Sequence, residues 1–296
     1  MPSPLSNFRS HPLVAQLLAK CTFDSSATSV DCAVSGGPDS MALLVLACAQ
    51  GFQVTAWHVD HGLRPESVSE ATIVRNVAEQ LGAKFESRTV HVEQGSNLEA
   101  RARAARFDAL PAGVLTGHTA DDQAETVLIN LLRGSATRGL AGMQAGPNHP
   151  ILQLRRSETH DLCSQLGIQL VHDSSNDDDR FQRNKIRQQL VPLLDAISQR
   201  DMVPVLARQA ELLRDDENLL NELALAIDPT DAQMLAAAPV ALARRAVRAW
   251  LAHPYPPDGA TVERVLGVAR GEATGCDIGL GRQVRRSQQQ LRIVEL

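Results

Sequence analysis

Val34-Ser35-Gly36-Gly37-Pro38-Asp39-Ser40 separates an apolar run that predicts a strand, Ser29 to Ser35, from one that predicts a helix, Met41 to Ala49. Two adjacent glycines allow a sharp turn and carry no Cβ to hold a ligand away. The amides that follow are the unpaired donors of a helix start, where the helix dipole adds positive potential. Strand, glycine turn and helix is one way an α/β protein holds a phosphate chain. Ser35 and Ser40 can add hydrogen bonds. Asp39 is at odds with a plain anion site, because a carboxylate repels phosphate; it points to a metal ion beside the phosphates or to a helix cap. Residue types alone leave two readings level: a phosphate loop, or a capped turn in which Pro38 opens the helix.

Working outward, the first part of the chain alternates strands and helices. Gln53 to His58 reads as a second strand. Ser67-Val68-Ser69-Glu70 is a capping box opening a helix that runs to about Leu81 and stops at Gly82. Lys84 to Val90 predicts a third strand, and Leu98 to Leu110 a helix broken by Pro111. Gly113 to Thr116 predicts a fourth strand and Asp121 to Leu132 a helix. Ser157 to Leu166 is a further helix, before a short strand at Gln169 to Val171. Such repeats imply a parallel sheet with helices on both faces, binding ligands at the C-terminal strand edge. From about Asn184 the pattern turns helical, with segments at Asp201 to Ile227 and Val240 to Leu251. His253 to Gly259 is a break, and Thr261 to Leu296 is expected to hold one helix and a small strand pair. The expected division is 1–198, an α/β domain, and 199–296, a smaller and mostly helical one.

Composition narrows the class. The chain has 296 residues, enough for a large core and a second unit. It is 44% hydrophobic but only 3% aromatic, so the core must rest on Leu, Val, Ile and Ala. The five cysteines are scattered without a Cys-x-x-Cys, which argues against a disulfide framework and against zinc or iron–sulfur. Free thiols suit a reducing cytoplasm. Met1 to Lys20 has no continuous apolar core, so no signal peptide is expected, and no apolar run is long enough for a membrane span. The net charge of −5 excludes a generally basic nucleic-acid binder, so any RNA would meet a local patch. Candidate patches are Arg180, Arg183, Lys185 and Arg187; Arg244, Arg245 and Arg248; and Arg282, Arg285, Arg286 and Arg292. Taken singly, each reads more readily as a solvated face.

A second constellation is Thr116-Gly117-His118-Thr119-Ala120-Asp121-Asp122-Gln123-Ala124-Glu125-Thr126. Asp121, Asp122 and Glu125 fall within about one helical turn. Their carboxylates suit Mg²⁺, a hard ion that prefers oxygen, but aspartates also favour any helix start. His118 is a candidate phosphate contact or base, or an ordinary hydrogen-bonding loop residue.

Ser-Gly-Gly-x-Asp-Ser after a hydrophobic strand resembles the pyrophosphate loop of the N-type ATP pyrophosphatases, not a Walker loop: Gly-x-x-x-x-Gly-Lys-Ser/Thr is absent from the sequence. With Gly117 to Thr126 downstream, the chain resembles the tRNA(Ile)-lysidine synthetases. Three further segments carry the likeness: His58 to Arg64; Asn97 to Phe107, with Phe107 where tyrosine is usual; and Asp173 to Asp177 followed by Phe181 to Arg187. The likeness spans roughly residues 29 to 195. His149-Pro150-Ile151-Leu152 departs from the usual Arg-Pro-Leu-Leu, which removes one positive charge. The helical domain is expected to be kept and the last domain of longer members to be missing.

The resemblance implies an adenine nucleotide α-hydrolase-like fold and a two-step ligation in the cytoplasm. ATP adenylates the wobble cytidine of the tRNA(Ile) with a CAU anticodon, releasing pyrophosphate. The ε-amine of free L-lysine then displaces AMP. Residue by residue, it implies that Ser35, Gly36, Gly37, Pro38, Asp39 and Ser40 bind ATP, and that Asp39, Asp121, Asp122 and Glu125 hold Mg²⁺. Asp39, Asp121, Asp122, His118 and Arg106 become the catalytic candidates. His61, Arg64, Arg103, Arg183 and Arg187 join the C-terminal Arg282, Arg285 and Arg286 as substrate or tRNA contacts. Two rivals stand beside this reading. A thiolase of the same superfamily would ordinarily need cysteine pairs, and a non-catalytic nucleotide-binding module would have little use for Asp39 together with three further acids. The sequence sets no oligomeric state; a homodimer is among the arrangements it allows.

Overall fold

The structure is a computed structural model that describes residues 4–60, 67–90, 101, 105, 108–171 and 182–295. The candidates His61, Arg64, Arg103 and Arg106 lie outside the described residues, as do 173–177 and most of the helix expected at 98–110. Packing divides the chain into two compact units, Met1–Glu211 and Leu212–Leu296.

The first unit is built on a parallel sheet. After helix α1 (Pro12–Leu18), β1 (Ser29–Ala33) leads into α2 (Pro38–Gln50), β2 (Gln53–Asp60), α3 (Ser67–Gln80) and β3 (Lys84–Thr89). The strands lie side by side in the order β1-β2-β3, with Ala33 beside Trp57 and Trp57 beside Glu86. Connections of this length between parallel neighbours need a helix, and α2 and α3 provide it. Every residue of α2 from Ser40 to Cys48 is buried, which is why its sequence is apolar all round and shows no amphipathic stripe. Along β2 the alternation buries Val54, Ala56 and His58 on one face. These join Met41, Leu43, Leu44 and Leu46 of α2 and Val74, Val77 and Ala78 of α3 in one core. His58 is only 3% exposed and its Nδ1 donates to the Val34 carbonyl at 2.9 Å, so it serves packing.

Two short strands expected from the sequence are reduced to single contacts. Leu115 alone bridges β1 in parallel, exchanging bonds with Ala33 (2.9 Å) and Asp31 (2.8 Å). The Thr116 amide, which points away from β1 in an extended chain, goes to the Asn148 carbonyl, and the pairing with β1 is confined to Leu115. The segment at Gln169 to Val171 is not a strand; its one link to the loop is Val171 N–H to the Gly36 carbonyl at 3.0 Å. Helices α4 (Ala120–Leu132) and α5 (Arg156–Gln165) follow as expected, each beginning one residue early. Gln182–Lys185, the π-helical Ile186–Leu190 and Val191–Ser198 form a continuous helical run.

Helix α6 (Val203–Ala224) leads into the second unit, which holds α7 (Ala232–Ala237), α8 (Val240–Trp250) and α9 (Gly259–Arg270). It ends in three antiparallel strands where a pair was expected: β4 (Gly275–Gly279), β5 (Arg282–Ser287) and β6 (Gln290–Glu295). The extra strand is hard to read in the sequence because all three are short and rich in polar residues. Val284 and Leu291 close this unit's core against Val247, Val265 and Leu266.

Candidate active site

The glycine loop leaves the carboxyl end of β1 and opens α2. Gly36 sits at φ +92°, a left-handed conformation that favours glycine, and a Cβ there would fall 2.4 Å from Val171 Cγ2. Gly37 is the residue before the helix, at an ordinary φ of −73°, with no atom nearer than Ser35 Oγ at 3.7 Å to an added Cβ. The two glycines therefore differ: the first is required by the fold, and the second only keeps the mouth of the loop open. Ser40 Oγ accepts from the Ser35 amide at 3.1 Å and donates to the Gly37 carbonyl at 2.9 Å, closing the loop on itself. No side chain caps α2, so its first amides remain available for an anion.

The second constellation packs directly on this turn. A Cβ on Gly117 would lie 2.7 Å from the Asp39 carbonyl oxygen and 2.9 Å from the Ser40 nitrogen. This glycine sets the distance between the two loops. At α4, Asp122 Oδ2 accepts from the Thr119 amide at 2.9 Å in the manner of a capping box, while Oδ1 turns to Arg156. The helix-cap reading thus holds for Oδ2, while Oδ1 joins an ion pair. Gln123 is buried and exchanges two 2.8 Å bonds with the backbone of Met143, which makes it structural.

Arginines organise the acids. Arg156, at the start of α5, reaches Asp39 Oδ2 (3.4 Å), Asp122 Oδ1 (3.0 Å) and Glu125 Oε1 (3.1 Å) with three different nitrogens. Its amide donates to Asp121 Oδ2 at 2.8 Å. Arg155 pairs with Asp121 at 3.1 Å and with Asp201. Glu125, only 1% exposed, also takes Arg187 Nε at 2.8 Å. Arg183 Nε stands 3.3 Å from it without hydrogen-bond alignment, and Arg183 Nη2 donates to Thr126 Oγ1 at 3.0 Å. The Thr159 hydroxyl lies against Asp39 Oδ1. Arg155, Arg156 and Thr159 escaped the sequence reading. The signal was present: acids buried together demand cations, and Arg155-Arg156 is an adjacent pair just ahead of a helix.

This environment moves the carboxyls apart. Burial raises Asp39 above the usual carboxylate range, with the Asp122 charge adding to it, and Thr159 and Arg156 offset this only in part. For Asp122, burial acts the same way, but Arg156 and the Thr119 amide outweigh it and hold the group low. Arg156 stays firmly protonated: burial opposes its charge, and the charges of Asp122, Glu125 and Asp39 win.

His118 stands beside this array with a partner, His149. Thr116 Oγ1 lies 2.7 Å from Nδ1 of both rings, and the two Nδ1 atoms are 3.3 Å apart. A hydroxyl has one proton, so it can donate to one ring at most, and the other ring must donate to it. The Asn148 carbonyl, 3.2 Å from the same hydroxyl, competes for that proton, so at least one ring presents Nδ1–H to Thr116.

The four acids proposed as metal ligands do not form a preformed cage. Among the described residues no three acid, histidine or cysteine side chains are placed to hold a metal, and Arg156 takes the central position. Mg²⁺ that arrives with nucleotide phosphates needs only one or two carboxylates, not a preformed cage.

The remaining candidates lie in the second unit. Arg282 and Arg286 share the face of β5 that carries buried Val284. Arg282 donates to the His253 carbonyl at 3.1 Å, and Arg286 lies at the C-terminus of α9, 3.4 Å from the Val268 carbonyl. Arg285 is exposed on the opposite face.

Residues 10–194 match a PP-loop domain family. The chain is 42% identical over 234 residues to a tRNA(Ile)-lysidine synthase of Mycolicibacterium paratuberculosis, covering 74% of this chain and 73% of that protein. It is 42% identical over 243 residues to the one from Nocardia farcinica, covering 76% of each. The Mycobacterium tuberculosis enzyme of the same name is 40% identical over 238 residues, 74% and 73% of the two chains. Among solved structures, the U34-tRNA thiolase NcsA from Methanococcus maripaludis superposes with a TM-score of 0.53 at 18% identity, covering 68% of this chain and 80% of that one, a likeness of fold.

Proposed function

The chain belongs to the tRNA(Ile)-lysidine synthases of the PP-loop family, and from that premise we propose how its residues carry the reaction. The substrates are ATP, free L-lysine and the tRNA(Ile) bearing a CAU anticodon, and the reaction takes place in the cytoplasm. The observation that supports this most directly is the contact of Gly117 with the backbone of Asp39 and Ser40, which joins two sequence-distant loops into one site.

The uncapped amides of α2 and the Ser35 hydroxyl receive the β and γ phosphates, while Ser40 holds the shape of the loop. Asp39 would hold Mg²⁺ that enters with ATP, and the ion would supply charge neutralisation for the departing pyrophosphate. Asp121, Asp122 and Glu125 act through Arg155 and Arg156, which they hold beside the loop. Electrostatic help of this kind is effective because the groups are already oriented before charge develops. Adenylation of the cytidine oxygen turns a poor leaving group into AMP. Lysine attacks as a free amine, so a base must take its proton, and His118, oriented through Thr116, is the nearest candidate beside the array. Arg183 and Arg187, each 30% exposed in their side chains, face the same acids and are proposed to meet tRNA phosphate.

The test is to incubate the protein with ATP, Mg²⁺, lysine and that tRNA, then to identify nucleosides by mass. Lysidine, AMP and pyrophosphate are expected; ADP and phosphate as main products would overturn the assignment. Asp39→Asn is expected to lower AMP release by about 100-fold or more with the fold retained.

A further inference from the structure

We propose that Arg285 and Arg292, opposed across β5 and β6, form a contact for the phosphodiester backbone of RNA. The inference rests on the tRNA substrate proposed above and adds a place for its backbone on the C-terminal unit.

The pairing register sets Arg285 directly opposite Arg292. Directly opposed residues of an antiparallel pair stand about 5 Å apart, and like charges there are destabilising. Both side chains are exposed. Arg285 gives Nε to Gln283 Oε1 at 3.2 Å, and neither arginine has an acidic partner among the described residues. The other arginines of this unit behave differently. Arg244 pairs with Glu263 at 2.6 Å, Arg245 with Glu217 at 2.5 Å and Arg270 with Glu272 at 2.6 Å. Arg282 and Arg286 go to backbone carbonyls. Five of the unit's arginines thus find a partner within it, whereas Arg285 and Arg292 are set against each other on an open face.

The surrounding surface suits an extended polyanion. The residues of β5 and β6 on that face are Gln283, Arg285 and Ser287, paired with Val294, Arg292 and Gln290. On the other side of Arg285 the neighbour is Gly275, and the acid that β4 places on this face, Asp277, stands opposite Gln283 and takes the Gly279 amide at 2.6 Å. A flat face with two guanidinia and amide donors fits phosphate oxygens better than an apolar ligand or a cation. Bound phosphate would also relieve the repulsion that the register imposes.

Charge reversal at one position separates this idea from a merely solvated face. In Arg292→Glu the repulsive pair becomes an attractive one, so the thermal midpoint should hold or rise. The affinity for tRNA should fall roughly three- to tenfold, and the slope of log affinity against log salt should become shallower by about one. The double variant Arg285→Glu/Arg292→Glu restores repulsion and should flatten the slope by about two. Wild-type affinity and slope in both variants, shown folded by their melting, would overturn the proposal. Weakened binding with an unchanged slope would overturn it as well, because phosphate contacts must release counterions. If the wild-type protein makes no lysidine, the proposed reaction fails, while the salt slopes still report on the arginine pair.

Discussion

The site at α2 and the sheet at the C-terminus use the same side chain in opposite ways. Around Arg156, four carboxylates meet four arginines, and the acid at the centre, Glu125, is almost wholly buried. On the β5–β6 face two arginines confront each other in the open, with no ion pair to an acid among the described residues. A buried cation must be paired, because leaving water costs several kcal/mol per ion. An exposed one loses little by waiting for an external partner. Internal pairing therefore fixes the geometry of the site, and its absence marks a surface left for a charged ligand.

The sharpest way to break this comparison is Arg156→Met. It leaves Asp39, Asp122 and Glu125 short of positive charge and should cost about 3–5 kcal/mol in denaturant unfolding. A loss below about 1 kcal/mol would show that water already compensates these acids. Next comes Gly117→Ala. Its methyl would press on backbone, which cannot swing aside, so a loss of about 1–3 kcal/mol is expected, together with weaker ATP binding. Gly37→Ala is the control: its methyl has room, so stability should stay within about 0.5 kcal/mol while the KM for ATP rises if phosphate approaches there. Unchanged KM would remove Gly37 from the nucleotide site.

Asp122→Asn isolates charge, since the amide oxygen can still accept from Thr119. The folded carboxyl is held below its usual value, so its stabilising contribution is present above the unfolded pKa and disappears as pH falls through the lower folded one. The variant should be less stable by about 1–2 kcal/mol at neutral pH, and the gap should close below about pH 4. A gap independent of pH would mean that Arg156 does not sense this charge. The smallest effect is on the sheet. Arg285→Gln should change stability by no more than about 0.5 kcal/mol, whereas Arg286→Gln, which loses its hold on the end of α9, should cost about 1 kcal/mol.

Much of the first unit was legible because its signals are local. The all-apolar α2, the capping box at Ser67 and the acids opening α4 each state their element within a few residues. The chain by itself also determined the sharp turn at Gly36 and the gathering of acids at one helix start. It misread Gly113 to Thr116 and Gln169 to Val171 because strand pairing is a non-local property. Whether an extended residue pairs depends on what lies beside it in the fold, and the pairing with β1 is confined to Leu115. Only tertiary structure showed that Gly117 rests on Asp39, that Arg155 and Arg156 neutralise the acids, and that Arg282 and Arg286 turn inward while Arg285 meets Arg292. Those facts depend on distances between residues far apart in sequence. A sequence records which charges exist, whereas the low dielectric of a folded interior decides which of them must meet.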